Sequence, residues 1–284
     1  MSLGVAMTGL AGGVALVAGL RWVVWRGFRA PRMAVDATPA THGLAFDDVS
    51  FATANGKTLS GWMVPAAPGA PLVVMMHGWG ANAATLLPLA AQLHSHGFSL
   101  LLLDARSHGR SEEDTFSSMP RFAEDIEAAL SWLGPRREKI VLLGHSVGGA
   151  AAILAASRQN GVAAVVSLSA FDHPERVMRT YLDRAHIPFR PFGWLVCRYV
   201  ERIIGHRFDA IAPVATIGHV RCPVLIGHGT DDSMVSPDAA QAIAARSEGR
   251  AELVLLDGIG HEGPEDYTAL GQLLADFLRR VLSV

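Results

Sequence analysis

Residues 140–151 of this chain are IVLLGHSVGGAA, and the other predicted elements are arranged around this segment. An apolar run ends at Gly144, Ser146 follows after one intervening residue, and two more glycines lead into an alanine-rich segment. The pattern predicts a buried strand, a very tight turn and a helix. In such a turn the serine takes a strained backbone conformation that projects its hydroxyl, because only glycine lets strand and helix meet so closely. Ser146 is therefore the predicted nucleophile.

Short apolar runs alternate with helical patterns on both sides of this stretch. Residues 46–52 and 59–64 alternate weakly in polarity around Asn55-Gly56, which predicts two antiparallel strands joined by a tight turn. The other predicted strands are residues 72–76, 98–103, 162–168, 224–226 and 253–256. Strands that alternate with helices predict a mostly parallel central sheet with helices on both faces.

Residues 171–220 interrupt this alternation. They are rich in aromatic residues and arginine and contain no strand-like run. Because ligands bind at the carboxyl ends of the strands in such sheets, we interpret this insert as a small cap over that edge. Its aromatic side chains would suit an apolar acyl group, and packing of the insert onto the core is the alternative role for them.

The predicted partners of Ser146 follow later strands, at the same edge of the sheet. His261 lies in a glycine-rich loop after the last strand, which suits a general base. Asp232 follows the preceding strand and would hold the histidine tautomer. Asp231 is adjacent and Asp172 follows the strand after the nucleophile helix, so the residues alone leave three candidates for the acid.

Backbone amides are the predicted donors for an oxyanion. The Val147 N–H comes with the turn at Ser146 and the start of its helix. The second donor is expected in the glycine-containing turn after the first buried strand, with Trp79 preferred and Gly80 in reserve. We expect His77 to brace this loop by hydrogen bonding rather than to take part in the chemistry.

Composition limits the classes of protein that fit. The chain has 284 residues, 50% of them hydrophobic, which allows one large domain with a sizeable core. A net charge of -2 with mixed charges gives no nucleic-acid footprint. Two cysteines match no metal spacing, and neither a metal nor a cofactor is expected.

The N-terminal segment predicts a membrane anchor. Residues 3–20 carry no charge and as a helix would reach about 27 Å, near the thickness of a bilayer core. Arginines and tryptophans follow, so the positive-inside rule puts the catalytic domain in the cytoplasm. The expected division is an anchor at 1–29, a linker at 30–43 and a catalytic domain at 44–284, with the cap at about 171–220. A signal sequence or a helix that does not span a membrane remains the alternative.

Five ordered motifs resemble those of α/β-hydrolases, over roughly residues 44–282. They are His77-Gly78-Trp79-Gly80, Asp104-Ala105-Arg106-Ser107-His108-Gly109, Gly144-His145-Ser146-Val147-Gly148, His228-Gly229-Thr230-Asp231-Asp232 and Gly260-His261. Within that family the chain is most similar to the membrane-anchored group with a short N-terminal apolar helix. The resemblance implies the α/β-hydrolase fold and makes Asp232, the fourth residue after His228, the acid. Serine at position 146 argues against the dehalogenase and epoxide-hydrolase branches, which carry aspartate there.

The expected function is therefore that of a serine hydrolase with a Ser146-His261-Asp232 triad. Its expected partners are a small-molecule ester or thioester, lipid-like ones included, and a lipid membrane through the N-terminal helix, with no nucleic acid. A serine peptidase or acyltransferase would use the same residues, and a non-catalytic binding module is the alternative from another class. The oligomeric state stays open.

Overall fold

The structure, a computed structural model, describes residues 19, 21, 25–135 and 139–283. Within these residues the central element is a sheet of eight strands. The strands are β1 (Asp47–Ala52), β2 (Thr58–Val64), β3 (Leu72–Met76), β4 (Ser99–Asp104), β5 (Ile140–His145), β6 (Val162–Leu168), β7 (Val224–Gly229) and β8 (Ala251–Leu256). Their spatial order is β1-β2-β4-β3-β5-β6-β7-β8. β1 and β2 form the predicted antiparallel hairpin, β2 runs antiparallel to β4, and the other neighbours are parallel.

Helices connect the parallel strands and cover both faces of the sheet. They are α1 (Leu87–Ser95), α2 (Met119–Leu133), α3 (Val147–Arg158), α4 (Pro174–Arg184), α5 (Trp194–Ile204), α6 (Phe208–Ile211), α7 (Pro213–Thr216), α8 (Asp238–Ala245) and α9 (Thr268–Leu282). The predicted α/β-hydrolase fold with a mostly parallel sheet is confirmed.

Strand β3 shows why its sequence is an uninterrupted apolar run. Successive side chains of a strand point to opposite faces. Leu72, Val74 and Met76 accordingly pack in the core on the side of α2 and α3, whereas Val73 and Met75 pack on the side of α1 and α9. Because helices cover both faces, every residue of this central strand is buried.

The segment between β6 and β7 is helical and contains α4, α5, α6 and α7. It corresponds to the insert that the sequence marks at 171–220. Leu182 of α4 and Cys197 and Val200 of α5 are buried in the same core cluster as the central sheet. The domain boundaries given above stay predictions.

The predicted location, a single-pass membrane protein with a cytoplasmic catalytic domain, is wrong. Within the described part of the chain, no helix is long and apolar enough to cross a membrane. Helices α2 and α9 have 15 residues each, where a span needs about 20. Both also bury one face against the sheet. Apart from Gly19, the apolar run at 3–20 lies outside the described residues.

Candidate active site

Ser146 occupies the turn between β5 and α3. Its backbone has φ 55° and ψ -119°, a left-handed conformation that a residue with a side chain rarely adopts. The Ser146 N–H donates to the Leu168 carbonyl at the end of β6, 2.8 Å away, which fixes the turn to the neighbouring strand. This hydrogen bond helps to hold Ser146 in its strained backbone conformation, and the hydroxyl projects beyond the strand ends.

Two glycines make this turn possible. A Cβ on Gly144 would collide with the backbone of Gly148, and a Cβ on Gly148 would collide with the carbonyl groups of Met76 and His77. Backbone atoms cannot rotate away as a flexible side chain can. The glycine spacing in the sequence thus follows from the close approach of β5, α3 and the end of β3.

A chain of hydrogen bonds leads from Ser146 into the protein. The Ser146 hydroxyl lies 3.0 Å from His261 Nε2 and donates to it, while His261 Nδ1 lies 2.7 Å from Asp232 Oδ2 and donates to that carboxylate. Burial alone would raise the pKa of Asp232. The backbone N–H of Val235 and the contact with His261 outweigh burial and hold that pKa below its ordinary value. The Asp232 carboxylate is therefore ionised at neutral pH and accepts from His261 in that form.

The loop after β7 holds Asp232 in place. Asp232 Oδ1 accepts from the backbone N–H groups of Met234 and Val235, at 2.9 and 2.8 Å. His228 Nε2 donates to the Val235 carbonyl at 2.9 Å and also lies 3.1 Å from Asp232 Oδ2. The side chains of Asp232 and His228 are both fully buried. The two backbone donors occupy Oδ1, and Oδ2 is the oxygen that faces His261.

The two other candidate acids lie elsewhere. Asp231 is exposed, and the hydroxyl of Thr230 donates to its carboxylate. Asp172 is buried at the start of the insert and pairs with Arg176 at 3.2 Å. Of the three, the structure brings Asp232 to His261.

The predicted oxyanion donors flank the nucleophile. Val147 begins α3 immediately after Ser146, and the Gly78-Trp79 turn lies beside Ser146, since a Cβ on Gly78 would be 3.5 Å from Ser146 Cβ. In the described residues, neither the Val147 N–H nor the Trp79 N–H donates a hydrogen bond. Neither amide therefore has a competing acceptor among the described residues, and their role as oxyanion donors stays a prediction.

His77 fixes the backbone of this turn. Its Nδ1 donates to the Gly78 carbonyl at 2.7 Å, and its Nε2 accepts from the Ala105 N–H at 3.1 Å. Burial, and then the nearby His108, lower the pKa of His77 to about 3. Only a neutral imidazole protonated at Nδ1 can make both bonds. His77 therefore ties the ends of β3 and β4 together.

Acidification should destabilise the fold through His77. Its pKa lies near 3 in the folded chain, below the ordinary 6.5, so the unfolded chain binds a proton that the folded chain excludes. The stability that depends on neutral His77 is complete above pH 6.5 and is lost as the pH falls towards 3. In this range the free energy of unfolding should fall by about 1.4 kcal/mol for each pH unit of acidification.

Urea unfolding of the wild type and of His77→Gln, at about pH 5 and about pH 7.5, measures this loss. The free energy of unfolding should fall more steeply with acidification in the wild type than in the variant, which has no imidazole to protonate. Equal slopes would show that His77 takes no part.

His145, the residue before Ser146, positions the loop that carries His261. Its Nε2 donates to the His261 carbonyl at 2.7 Å. Burial lowers the pKa of His145, and this keeps the ring neutral. The contact ties the backbone of His261 to the turn that carries Ser146, so it helps to fix the distance between Ser146 Oγ and His261 Nε2.

A cavity of about 330 Å³ opens at Ser146 and His261. Its walls include the apolar residues Leu86, Leu89 and Leu270. Of the aromatic residues that the sequence offers between 171 and 220, Tyr181 is the one that lines the cavity among the described residues. Phe192, Trp194 and Leu195, by contrast, are exposed on the insert.

Several residues near the site were not assigned to it from the sequence. The sequence analysis names His145 and His228 only as parts of motifs. The position of His228 four residues before Asp232 could have suggested a contact between the two. Pro31 and Met33 line the cavity but fall in the segment predicted as a linker. No group of three or more His, Cys, Asp or Glu side chains able to hold a metal ion occurs in the described parts of the chain.

Comparison with known proteins agrees with this architecture. A family model described as serine aminopeptidase, S33, matches residues 68–203. An uncharacterised protein of Mycobacterium tuberculosis is 28% identical over 242 residues, which cover 83% of this chain and 79% of the relative. A polyketide transferase of a Penicillium species is 30% identical over 129 residues, 43% of this chain and 44% of the relative.

Solved structures share the fold at low sequence identity. An esterase of Pyrococcus furiosus superposes with a TM-score of 0.71 at 21% identity, covering 89% of this chain and 98% of its own. Est1E of Butyrivibrio proteoclasticus, solved with ferulic acid, gives 0.67 at 19% identity over 83% of this chain and 100% of its own. The chain has the α/β-hydrolase fold, and the match of the family model supports an α/β-hydrolase family.

Proposed function

We propose that this chain is a serine hydrolase that cleaves carboxylic esters or thioesters through an acyl-enzyme at Ser146. The observation that carries the proposal is the unbroken series of hydrogen bonds from Ser146 through His261 to Asp232. A serine hydroxyl is a weak nucleophile by itself and becomes reactive when an adjacent base can take its proton. The relatives described as esterases share the fold and are consistent with this chemistry.

In the proposed first half-reaction, Ser146 Oγ attacks the substrate carbonyl carbon while His261 Nε2 takes the hydroxyl proton. The carbonyl oxygen becomes an oxyanion that the Trp79 and Val147 amides stabilise. The intermediate then collapses, and His261 gives its proton to the departing alcohol or thiol. Asp232 stabilises the imidazolium that forms in between without being protonated itself.

The second half-reaction restores the enzyme. His261 takes a proton from water, the resulting hydroxide attacks the acyl-Ser146 carbonyl, and the same two amides hold the new oxyanion. Collapse releases the carboxylic acid, and the proton on His261 returns to Ser146 Oγ. The apolar walls of the cavity would hold the acyl group or the leaving group during both steps.

A panel of substrates that share one acyl group tests the bond that is cleaved. We expect turnover of a p-nitrophenyl butyrate ester and of a butyryl thioester, with an initial burst of p-nitrophenol if deacylation is the slower step. The butyryl p-nitroanilide should react far more slowly, because an amide leaving group needs more assistance. Absence of turnover on all three substrates would contradict the proposal.

An aminopeptidase is the second candidate, because the matching family model carries that description. A free amino terminus needs a carboxylate partner. Glu262 supplies the one carboxylate among the described residues that line the cavity. Hydrolysis of an aminoacyl p-nitroanilide faster than of the butyrate ester, together with its loss in Glu262→Gln, would favour this alternative over an esterase.

A further inference from the structure

Residues 28–34, which we call the N-terminal strap, lie across the loops that follow β3 and β4. Arg32 Nε donates to the Gly109 carbonyl at 2.8 Å, and its Nη2 donates to the Ser111 carbonyl. On the other side, Asn82 Nδ2 donates to the carbonyls of Met33 and Ala34, at 3.3 and 3.0 Å. The strap is thus bonded to both loops through its own backbone and side chains.

The strap also packs on the turn that carries the oxyanion donor. The Phe28 ring meets the Trp79 ring edge to face, with centroids 6.5 Å apart. Pro31 lies over Gly80, where a Cβ would be 2.9 Å from Pro31 Cγ. The Phe28 carbonyl accepts from the Ser117 N–H at 2.8 Å. Aromatic and backbone contacts of this kind hold the strap in one place relative to Ser146.

Two side chains of the strap reach the reaction site. Pro31 and Met33 line the cavity that also contains Ser146 and His261. Met33 is 52% exposed, so its side chain borders the open side of the cavity rather than the core. Methionine is flexible and apolar and adapts to apolar ligands.

We propose that the N-terminal strap is a wall of the substrate pocket, and that Pro31 and Met33 limit the size of the apolar group that the site accepts. The proposal rests on the proposed ester hydrolysis and deepens it. A cavity of about 330 Å³ lies near the small end of the range for small-molecule pockets, roughly 300–1,000 Å³. The substrate class is therefore an ester with an uncharged apolar group of short to medium length.

Kinetics on a series of esters test the wall. From acetate to octanoate, kcat/KM of the wild type should rise by about fourfold per methylene while the chain still gains buried area. Met33→Trp should lower the octanoate-to-acetate ratio of kcat/KM by about tenfold, and Met33→Ala should raise it. A second series of acetates with lengthening alcohols tells whether the acyl group or the leaving group contacts Met33.

Leu195→Trp is the matched control. Leu195 is 50% exposed, close to the exposure of Met33, but it lies on α5 and does not line the cavity. The same enlargement at that position should leave both ratios unchanged.

A binding measurement separates this inference from the proposed function. In a Ser146→Ala background, calorimetric titration with 2-octanone, an uncharged and unreactive ligand, needs no catalysis. Adding Met33→Trp should weaken its Kd by about tenfold, whereas adding Leu195→Trp should not. Tighter binding with Met33→Ala would support the same conclusion if the tryptophan disturbs the loop.

The outcomes differ for the two claims. Ester turnover without any effect of either Met33 variant, in kinetics and in binding, would overturn the wall and leave the hydrolase in place. A Met33 effect on 2-octanone binding in a protein that cleaves no ester would support the wall and contradict the proposed hydrolysis.

Discussion

Replacing Ser146 with alanine should lower kcat on an activated ester by roughly 10⁶-fold, because a triad without its nucleophile keeps only the contribution of the oxyanion donors and binding. The geometry behind this expectation is the strained backbone of Ser146 and its 3.0 Å contact with His261. The measurement is steady-state hydrolysis of p-nitrophenyl butyrate by purified wild type and variant.

Ser157→Ala is the matched control for this loss. Ser157 lies on α3, the same helix that Val147 begins, and its hydroxyl donates to the Leu154 carbonyl. Its removal should leave kcat within about twofold of the wild type. A Ser146→Ala protein that folds like the wild type and keeps more than about a hundredth of its activity would rule out Ser146 as the nucleophile.

The second large effect is expected at the acid. Asp232→Asn should lower kcat by about 10⁴-fold, because an amide in place of the carboxylate leaves His261 in the wrong tautomer. Asp232 Oδ2 is the atom that accepts from His261 Nδ1, and its other oxygen is already occupied by two backbone donors. The variant therefore keeps its place in the loop and changes the partner of the base.

Asp231→Asn and Asp172→Asn are the comparison variants. Asp231 is exposed and Asp172 pairs with Arg176, so each should keep kcat within about threefold of the wild type. A loss of 10³-fold or more in either one, or a mild effect of Asp232→Asn, would move the acid away from Asp232.

The core of the fold follows from local sequence patterns. In β3, five consecutive apolar residues predict a strand buried on both faces, and the helices on both sides of the sheet explain why none of them is polar. The turn at Ser146 also leaves its mark in the sequence as two glycines. A side chain at Gly144 would collide with the backbone a few residues away, and one at Gly148 with the end of the adjacent strand. Such features can be predicted because period and glycine spacing encode them directly.

Features that depend on loops could not be predicted in this way. Asp231 and Asp232 are adjacent in the sequence, and the turn that buries one and exposes the other is set by amides of Met234 and Val235. The composition of residues 30–43 predicts a linker and does not indicate that Pro31 and Met33 line the cavity at Ser146. They do so because Arg32 of the strap and Asn82 of the loop after β3 hold the strap in place. These contacts join segments that are far apart in the sequence and show no periodic pattern of residue types, so the sequence does not predict them.

The prediction of a single-pass membrane location is a separate case. It is based on the hydropathy and charge order of residues 1–29, and no helix among the described residues is long and apolar enough to cross a membrane. Apart from Gly19, the apolar run at 3–20 lies outside the described residues.

Labelling with a fluorophosphonate probe, followed by mass analysis of the intact chain and its peptides, shows whether Ser146 is an activated nucleophile. An activated serine attacks the phosphorus and expels fluoride, so we expect one adduct per chain, located on Ser146. His261→Ala should slow its formation strongly, because the base is missing. Absence of any adduct would favour a binding module over a hydrolase. An adduct on another serine that persists in Ser146→Ala would show that Ser146 is not the nucleophile.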